Sequence, residues 1–306
     1  MRDDRLPTIS LLLSAKLRST LDSDVASKRA AGAAQLVMID GQVAYSHSSG
    51  YRDIGEKLPF DFDTVVRMYS MTKPITSIAF MMLVEEGKVA LSDPLVKFCP
   101  EFKDTGVFVA GGGNVPFLTR PPAQPIRMVD LLRHTSGLTY GFQERTPVDA
   151  AYRKAKIDDF DADYTMDSFI ADLAKIPLQF DPGAHRNYSM ATDVLGAVMA
   201  KAEGTDVEGA VHKYVTGPMQ MTDTSFFVTE ANKPRFTDVY RWDKDANALV
   251  ANPNRPDRPG FDDPNRLESA LGYTGEALMV HGACSSSGCY ALTDQGVGEI
   301  YALAQK

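Results

Sequence analysis

Cysteine is scarce in this chain of 306 residues, with only three present, and three cannot all pair within one chain. Cys99, Cys284 and Cys289 therefore imply no disulfide framework, and a reducing, cytoplasmic setting is the simpler expectation. Positive charge is also short. Thirty-two Lys and Arg against 40 Asp and Glu leave a formal net charge of −8, which argues against a general binder of nucleic acid or of anionic membranes. No apolar run approaches the length of a membrane span. The charged start, Met1 to Arg5, leads into a short apolar run, Ile9 to Leu13, that continues through Leu17 and Leu21 with polar residues between. That pattern reads as an amphipathic helix and not as a signal peptide. No His, Cys and carboxylate cluster has metal-ligand spacing, so no metal is expected. Gly111-Gly112-Gly113-Asn114 lacks the Gly-Lys-Ser/Thr of a phosphate loop, so a flexible surface loop is expected there and no cofactor is implied. A Gly-x-Ser-x-Gly elbow is missing too, which excludes an ordinary α/β-hydrolase.

What is present centres on Arg67-Met68-Tyr69-Ser70-Met71-Thr72-Lys73-Pro74. Behind it Ile75, Ile78, Ala79, Met82 and Leu83 recur at the spacing of one buried helix face, and Gly87 supplies a stop. Pro74 is tolerated only near a helix start, which puts the first turn around Ser70 to Pro74. Residues three apart share a face, so the Ser70 hydroxyl and the Lys73 ammonium can meet there. The positive end of the helix would favour alkoxide character on Ser70 and push the Lys73 pKa down, toward a usable base. Alone, Ser-x-x-Lys also fits an exposed first turn with Ser70 as a cap and Lys73 solvated.

Elsewhere, Ala33 to Ile39 and Gln42 to Ser46 flank Asp40-Gly41, a strong hairpin signal. Tyr51 to Pro59 is turn-rich, and Leu91 to Phe98 reads as an irregular connection. Pro125 to Arg133 predicts a short helix with Ile126, Val129 and Leu132 on one side. His134, at its end, fits either a catalytic group or hydrogen-bonded structure. Ala150 to Lys156 and Met166 to Ala174 look helical. Tyr188 precedes a helix carrying Val194, Leu195, Val198, Met199 and Ala202 on one face, stopped by Gly204, and by position alone it fits a core aromatic. Thr205 to Glu208 is a capping-box pattern. Asp243 to Arg266 predicts a polar excursion with little regular structure, Val280 to Tyr290 a strand and turn, and Thr293-Asp294 the cap of a last helix.

Taken in order, these segments resemble the serine β-lactamase and penicillin-binding-protein superfamily, especially its class C-like branch of family VIII carboxylesterases. Tyr69-Ser70-Met71-Thr72-Lys73-Pro74 resembles the nucleophile helix of that branch. Leu131 to Phe142 resembles its His-Thr-Ser-Gly-Leu segment, and Tyr188 to Gly196 its second catalytic element. The likeness runs from about residue 8 to the end, and three ordered motifs are far more specific than one tetrapeptide. It implies an α/β, β-lactamase/transpeptidase-like fold: an antiparallel sheet flanked by helices, drawn from about 1–66 and 230–306, and a mostly helical part from about 67–229. It implies Ser70 as nucleophile, Lys73 as its base partner and Tyr188 as a second proton-transfer group. Tyr69, Met190 and His134 become the expected substrate-binding neighbours, His134 as a support. Met190 stands where the lactamase form has Asn, and a thioether cannot hold an acylamino side chain as an amide would, which favours simple esters over β-lactams.

The resemblance also implies a third motif, of the Lys-Thr-Gly or Trp-Gly-Gly kind. Ser285 to Gly288 resembles the glycine-rich segment that precedes it, and His281-Gly282 is the only local substitute. Either the natural protein is longer or its sheet is completed differently, and an open sheet edge would invite pairing with another chain. The expected activity is cleavage of small, short-chain esters through an acyl-enzyme. The alternatives are a β-lactamase or D-alanyl peptidase, an acyltransferase, or a catalytically weak relative that binds a ligand or partner.

Overall fold

The computed structural model describes residues 9–158 and 165–251, which form two compact units, 9–64 with 235–251, and 65–158 with 165–234. In the first unit Ser10 caps α1 (Leu11–Ala26) by accepting the Leu13 N–H at 3.2 Å. The expected helix is there, but its apolar start is not covered: Leu21 is buried while Leu11 is 89% exposed. The strands β1 (Gly32–Ile39) and β2 (Gln42–Asp53) make the hairpin expected around Asp40-Gly41. Both turn residues have positive φ, 51° and 75°, as a two-residue hairpin turn of this hand requires. Alternation turns Ala33 and Tyr45 inward and leaves Leu36 and Met38 exposed. Among the described residues β1 has one unpaired edge, since the order is β1-β2-β3. The turn-rich stretch begins later than expected, because β3 (Leu58–Pro59) pairs with the end of β2 through Tyr51 and Pro59.

The second unit opens with a tight 3-10 turn, Tyr69–Met71, that runs into α2 (Thr72–Glu85). The helix buries Thr76, Ala79, Phe80 and Leu83. Ile78, expected on that face, is exposed, because the helix turns the bulkier Phe80 to the core. Next, β4 (Val107–Gly112) and β5 (Val115–Arg120) pair, which corrects the loop expected at Gly111 to Asn114. The glycines close a hairpin: all three have positive φ, and a Cβ on Gly111 would lie 2.3 Å from the Pro116 carbonyl oxygen.

The helix α3 (Met128–Leu132) is shorter than predicted and buries Met128 and Leu131 in place of Val129 and Leu132. Ile126 lies ahead of it, where its carbonyl accepts the Leu95 N–H at 2.7 Å. Then follow α4 (Pro147–Ala155) and α5 (Met166–Ala174), both where the sequence predicts helix. The centre of the unit is α6 (Ala191–Glu203), in which every residue from Ala191 to Met199 is buried, and Gly204 ends it at φ 67°. At its far end Glu203 accepts from Lys88 at 2.5 Å, Lys213 at 2.6 Å and Tyr214 at 2.7 Å, so α6 is tied to the segment just beyond α2. The short α7 (Val207–Val211) is capped by Asp206, which accepts the Gly209 N–H at 2.6 Å, and not by Thr205.

The chain then returns to the first unit as β6 (Tyr240–Asp243) and β7 (Ala248–Ala251). Up to Ala251 this hairpin corrects the irregular excursion predicted for Asp243 to Arg266, and residues 252–266 lie outside the described residues. The Asp243 carboxylate accepts the N–H groups of Asp245 and Ala246 and so folds the turn back on itself. The predictions for 280–290 and for the last helix, and with them Cys284, Cys289, His281-Gly282 and Ser285 to Gly288, lie outside the described residues. No helix among the described residues is long and apolar enough to cross a membrane.

One packing detail generates a stability prediction. Behind the nucleophile segment, Met68, Thr72 and Ile75 line a cavity of about 20 Å³ with Glu208, Val211 and Phe226. Burial, with Asp206 adding repulsion, pushes the Glu208 carboxyl up to about 7, against 4.5 for an ordinary glutamate. The folded protein therefore keeps a proton that the unfolded chain has released, and stability drains away as pH rises from about 4.5 through 7. Glu208→Gln is expected to raise the melting temperature by a few degrees at pH 8 and to leave it unchanged at pH 4.5, read by thermal denaturation across that range.

Candidate active site

The 3-10 turn brings Ser70 to the head of α2, and the residue before it is held in an uncommon backbone conformation. Tyr69 has φ 46°, which costs an aromatic residue about 1–3 kcal/mol and persists only where its surroundings impose it. The Ser70 Oγ lies 2.5 Å from the Tyr188 hydroxyl, 118 positions on. Three residues beyond Ser70, the Lys73 Nζ lies 5.0 Å from the centre of the Tyr188 ring and 5.5 Å from that of Tyr140. Ser70, Lys73 and Tyr188, the three residues expected to carry the chemistry, are thus brought together.

Tyr188 is held by the segment that the sequence marked as His-Thr-Ser-Gly-Leu. The two run side by side: Asn187 N–H donates to the His134 carbonyl at 2.8 Å, Gly183 N–H to that of Thr135 at 2.7 Å, Gln179 N–H to that of Gly137 at 2.8 Å, and Met190 N–H to that of Thr139 at 3.3 Å. Gly137, at φ 87°, cannot be replaced, because a Cβ there would lie 2.5 Å from the Phe180 carbonyl oxygen. The Gln143 side-chain amide donates to the Tyr188 carbonyl. Backbone pairing, and not a side-chain contact alone, fixes where the phenol points.

His134 packs beside Tyr188. Its Nδ1 lies 3.2 Å from the Ser189 Oγ and its ring packs 5.1 Å from that of Tyr188. Burial pushes its imidazole down to about 3, with Lys73 and Arg186 adding to the effect, so the ring is neutral near neutral pH. Tyr69 is half-buried beside the nucleophile. Met190 departs from its expected substrate-binding role. Its side chain is 0% exposed and packs in the core at the cap of α6, so it presents no surface to a ligand.

Lys73 also corrects an expectation. Lys73 is half-buried, and that burial works against its charge. The opposing pull of Tyr140, of the Asp193 carboxylate and of Tyr188 is larger in sum and holds Lys73 above its ordinary range. The helix start does not push it down, because the attraction of Tyr140, Asp193 and Tyr188 outweighs it. Two of these groups, Tyr140 and Asp193, escaped the sequence reading. Tyr140 is buried, its ring 5.3 Å from that of Tyr188 and stacked on Phe142 at 4.8 Å. Burial first, and the Asp193 charge second, push its phenol up, so it is a neutral donor. A single acid in the apolar run Ala191 to Met199 was the available signal for Asp193. Among the described residues no group of three His, Cys, Asp or Glu could hold a metal ion.

Residues 17–302 match the family model described as Beta-lactamase. Protein Rv1367c of Mycobacterium tuberculosis is 36% identical over 230 residues, 75% of this chain and 55% of its own length. Esterase EstB of Burkholderia gladioli is 34% identical over 223 residues, 72% of this chain and 53% of its own. The chain thus spans about half the length of these relatives. Among solved structures, one described as EstCE1, a hydrolase with promiscuous acyltransferase activity, superimposes with a TM-score of 0.70 at 26% identity, covering 84% of this chain and 68% of that one.

With the Ser70–Tyr188 hydrogen bond as its basis, Tyr188→Phe is expected to slow labelling of Ser70 by a fluorophosphonate about 10²- to 10⁴-fold with the fold intact, as measured by time-resolved mass spectrometry.

Proposed function

The chain belongs to the beta-lactamase family, and on that premise we propose that it is a serine hydrolase cleaving small esters through an acyl-enzyme on Ser70. The observation that carries the reading is the 2.5 Å contact between the Ser70 and Tyr188 oxygens with the Lys73 ammonium beside the Tyr188 ring. Oγ attacks the ester carbonyl as its proton passes to the Tyr188 oxygen, with the Lys73 ammonium offsetting the charge there, and the Ser70 N–H at the helix start serves the oxyanion. The alcohol leaves with that proton, and water then releases the acid by the same steps in reverse.

Esters are favoured over β-lactams because residue 190, enclosed in the core, presents nothing to an acylamino side chain. The likeness to Esterase EstB supports the same choice. Transfer of the acyl group to an alcohol is the second reading. Phe142, 55% exposed and stacked on Tyr140, gives an acceptor an apolar face near the site. A cytoplasmic setting completes the reading, supported by Cys99, a free thiol that burial pushes up to about 11.

Turnover of p-nitrophenyl acetate and of nitrocefin, with Ser70→Ala beside the wild type, tests the proposal. Ester turnover should exceed lactam turnover and fall on the order of 10³-fold or more in the variant. Added alcohol yielding a new ester would favour transfer. Absence of both turnover and a fluorophosphonate adduct would sink the hydrolase and leave a ligand binder.

A further inference from the structure

Phe142 stands in the middle of a tight turn, Gly141–Gln143, that is fastened on both sides. On one side the Gly141 N–H donates to the Asp158 Oδ2 at 2.6 Å, and the Arg153 guanidinium donates to the Gly141 carbonyl. A Cβ on Gly141 would lie 2.7 Å from the Asp158 Oδ1 and 2.8 Å from the Arg153 Cγ, so the turn rests directly on these two residues. On the other side the Gln143 amide holds the Tyr188 carbonyl. Between these anchors Phe142 is 55% exposed, with one face of its ring laid on Tyr140 at 4.8 Å and 24°. The Tyr140 ring lies 5.3 Å from that of Tyr188, whose hydroxyl meets the Ser70 Oγ at 2.5 Å. A single exposed apolar side chain is ordinary on a protein surface. This one differs in two respects: its backbone is held so that the ring cannot retract, and only two rings separate it from the nucleophile. An aromatic face held open in advance can take up an apolar group with little ordering cost.

We propose that Phe142 is a specificity-determining residue whose open ring face receives an extended apolar group of the ester, so that the site prefers esters with a medium-length alkyl or aryl group to those with acetyl and methyl groups alone. This deepens the esterase reading, names its substrate class, and rests on that reading for the reaction. An acetyl group ends beside Ser70, whereas a six-carbon chain or an arylalkyl group extends past the Tyr188 and Tyr140 rings toward Phe142. Tyr140 is only 4% exposed, so Phe142 is the ring of this stack that a substrate can meet. The residue makes and breaks no bond. Its contribution is apolar surface removed from water, which is gained in the bound ester and in the transition state alike and therefore lowers KM more than it raises kcat.

Kinetics on the 306-residue chain, with wild type, Phe142→Ala and Phe142→Leu side by side, test this. Phe142→Ala should lower kcat/KM for p-nitrophenyl hexanoate about tenfold, chiefly through KM, and leave p-nitrophenyl acetate within about threefold of the wild type. Phe142→Leu, which keeps an apolar surface, should restore much of the loss. A second series, the acetates of methanol to hexanol, varies the alcohol side, and the series whose length dependence Phe142→Ala removes identifies the group that lies on the ring. An equal loss on acetate and hexanoate would reduce Phe142 to packing on Tyr140 and overturn the proposal, as would a length dependence that the variant leaves unchanged in both series. If the wild type turns over no ester, the esterase reading fails, and labelling of Ser70 by methanesulfonyl and hexanesulfonyl fluoride, followed by mass spectrometry, decides Phe142 by itself. Faster labelling by the longer probe, lost in Phe142→Ala, would uphold the role of the ring. Equal labelling by the two probes, or none by either, would overturn it.

Discussion

Nine consecutive residues of α6 are buried, and a carboxylate is among them. A globular core accepts such a group only with compensation close by, since an unpaired buried charge costs several kcal/mol. The compensation here comes from the helix that also carries the nucleophile, so packing and chemistry share a requirement. A charged Lys73 meets that requirement, since Tyr140, the Asp193 carboxylate and Tyr188 together hold it above its ordinary range. The start of α6 also delivers the Tyr188 oxygen to within 2.5 Å of the Ser70 Oγ.

The relation between α2 and α6 reinforces that contact. Both helices begin at the site, at Thr72 and Ala191, and both end near the Glu203 cluster, so they run in the same direction and both direct their positive ends toward the Ser70–Tyr188 contact. That potential favours anionic oxygen on Ser70, on Tyr188 or on a carbonyl under attack, and it disfavours an ammonium. Lys73 keeps its charge because the attraction of Tyr140, Asp193 and Tyr188 outweighs its burial. At the opposite ends Lys88 and Lys213 converge on Glu203, whose side chain is almost fully enclosed and whose carboxyl they hold down at about 2. The pair of helices is pinned at both ends, by an ionic cluster at one and by a short hydrogen bond at the other.

Much of this was legible in the sequence where a local pattern had one physical meaning. Ser70 and Lys73 stood out because Pro74 and a following apolar period fix a helix start, and Asp40-Gly41 because only a tight hairpin uses two left-handed residues in a row. Phase was harder. Ile78 and Phe80 are equally apolar, and tertiary packing, which no local period encodes, chose Phe80. The hairpins β4–β5 and β6–β7 were hidden by their own turns, one read as a glycine loop and the other as a polar excursion. Asp193 was hidden by a different ambiguity. An acid in a first helical turn is ordinarily a solvated dipole partner, and only the burial of its neighbours reveals otherwise. Tyr140 lay inside a quoted motif and carried no signal beyond being aromatic.

Met190 shows how far a side-chain identity can mislead when the backbone decides. Asn in its place would favour an acylamino substrate only if residue 190 faced the cleft. Here the Met190 N–H is bound to the Thr139 carbonyl and the side chain packs in the core at the cap of α6. Turning that side chain outward would break one rung of the backbone pairing that holds Tyr188 against Ser70, and would open a void beneath α6. An Asn at 190 in this backbone would be enclosed as Met190 is, and would face an apolar core without the donors that an amide needs. The backbone pairing that fixes the phenol therefore also decides whether residue 190 can face a substrate.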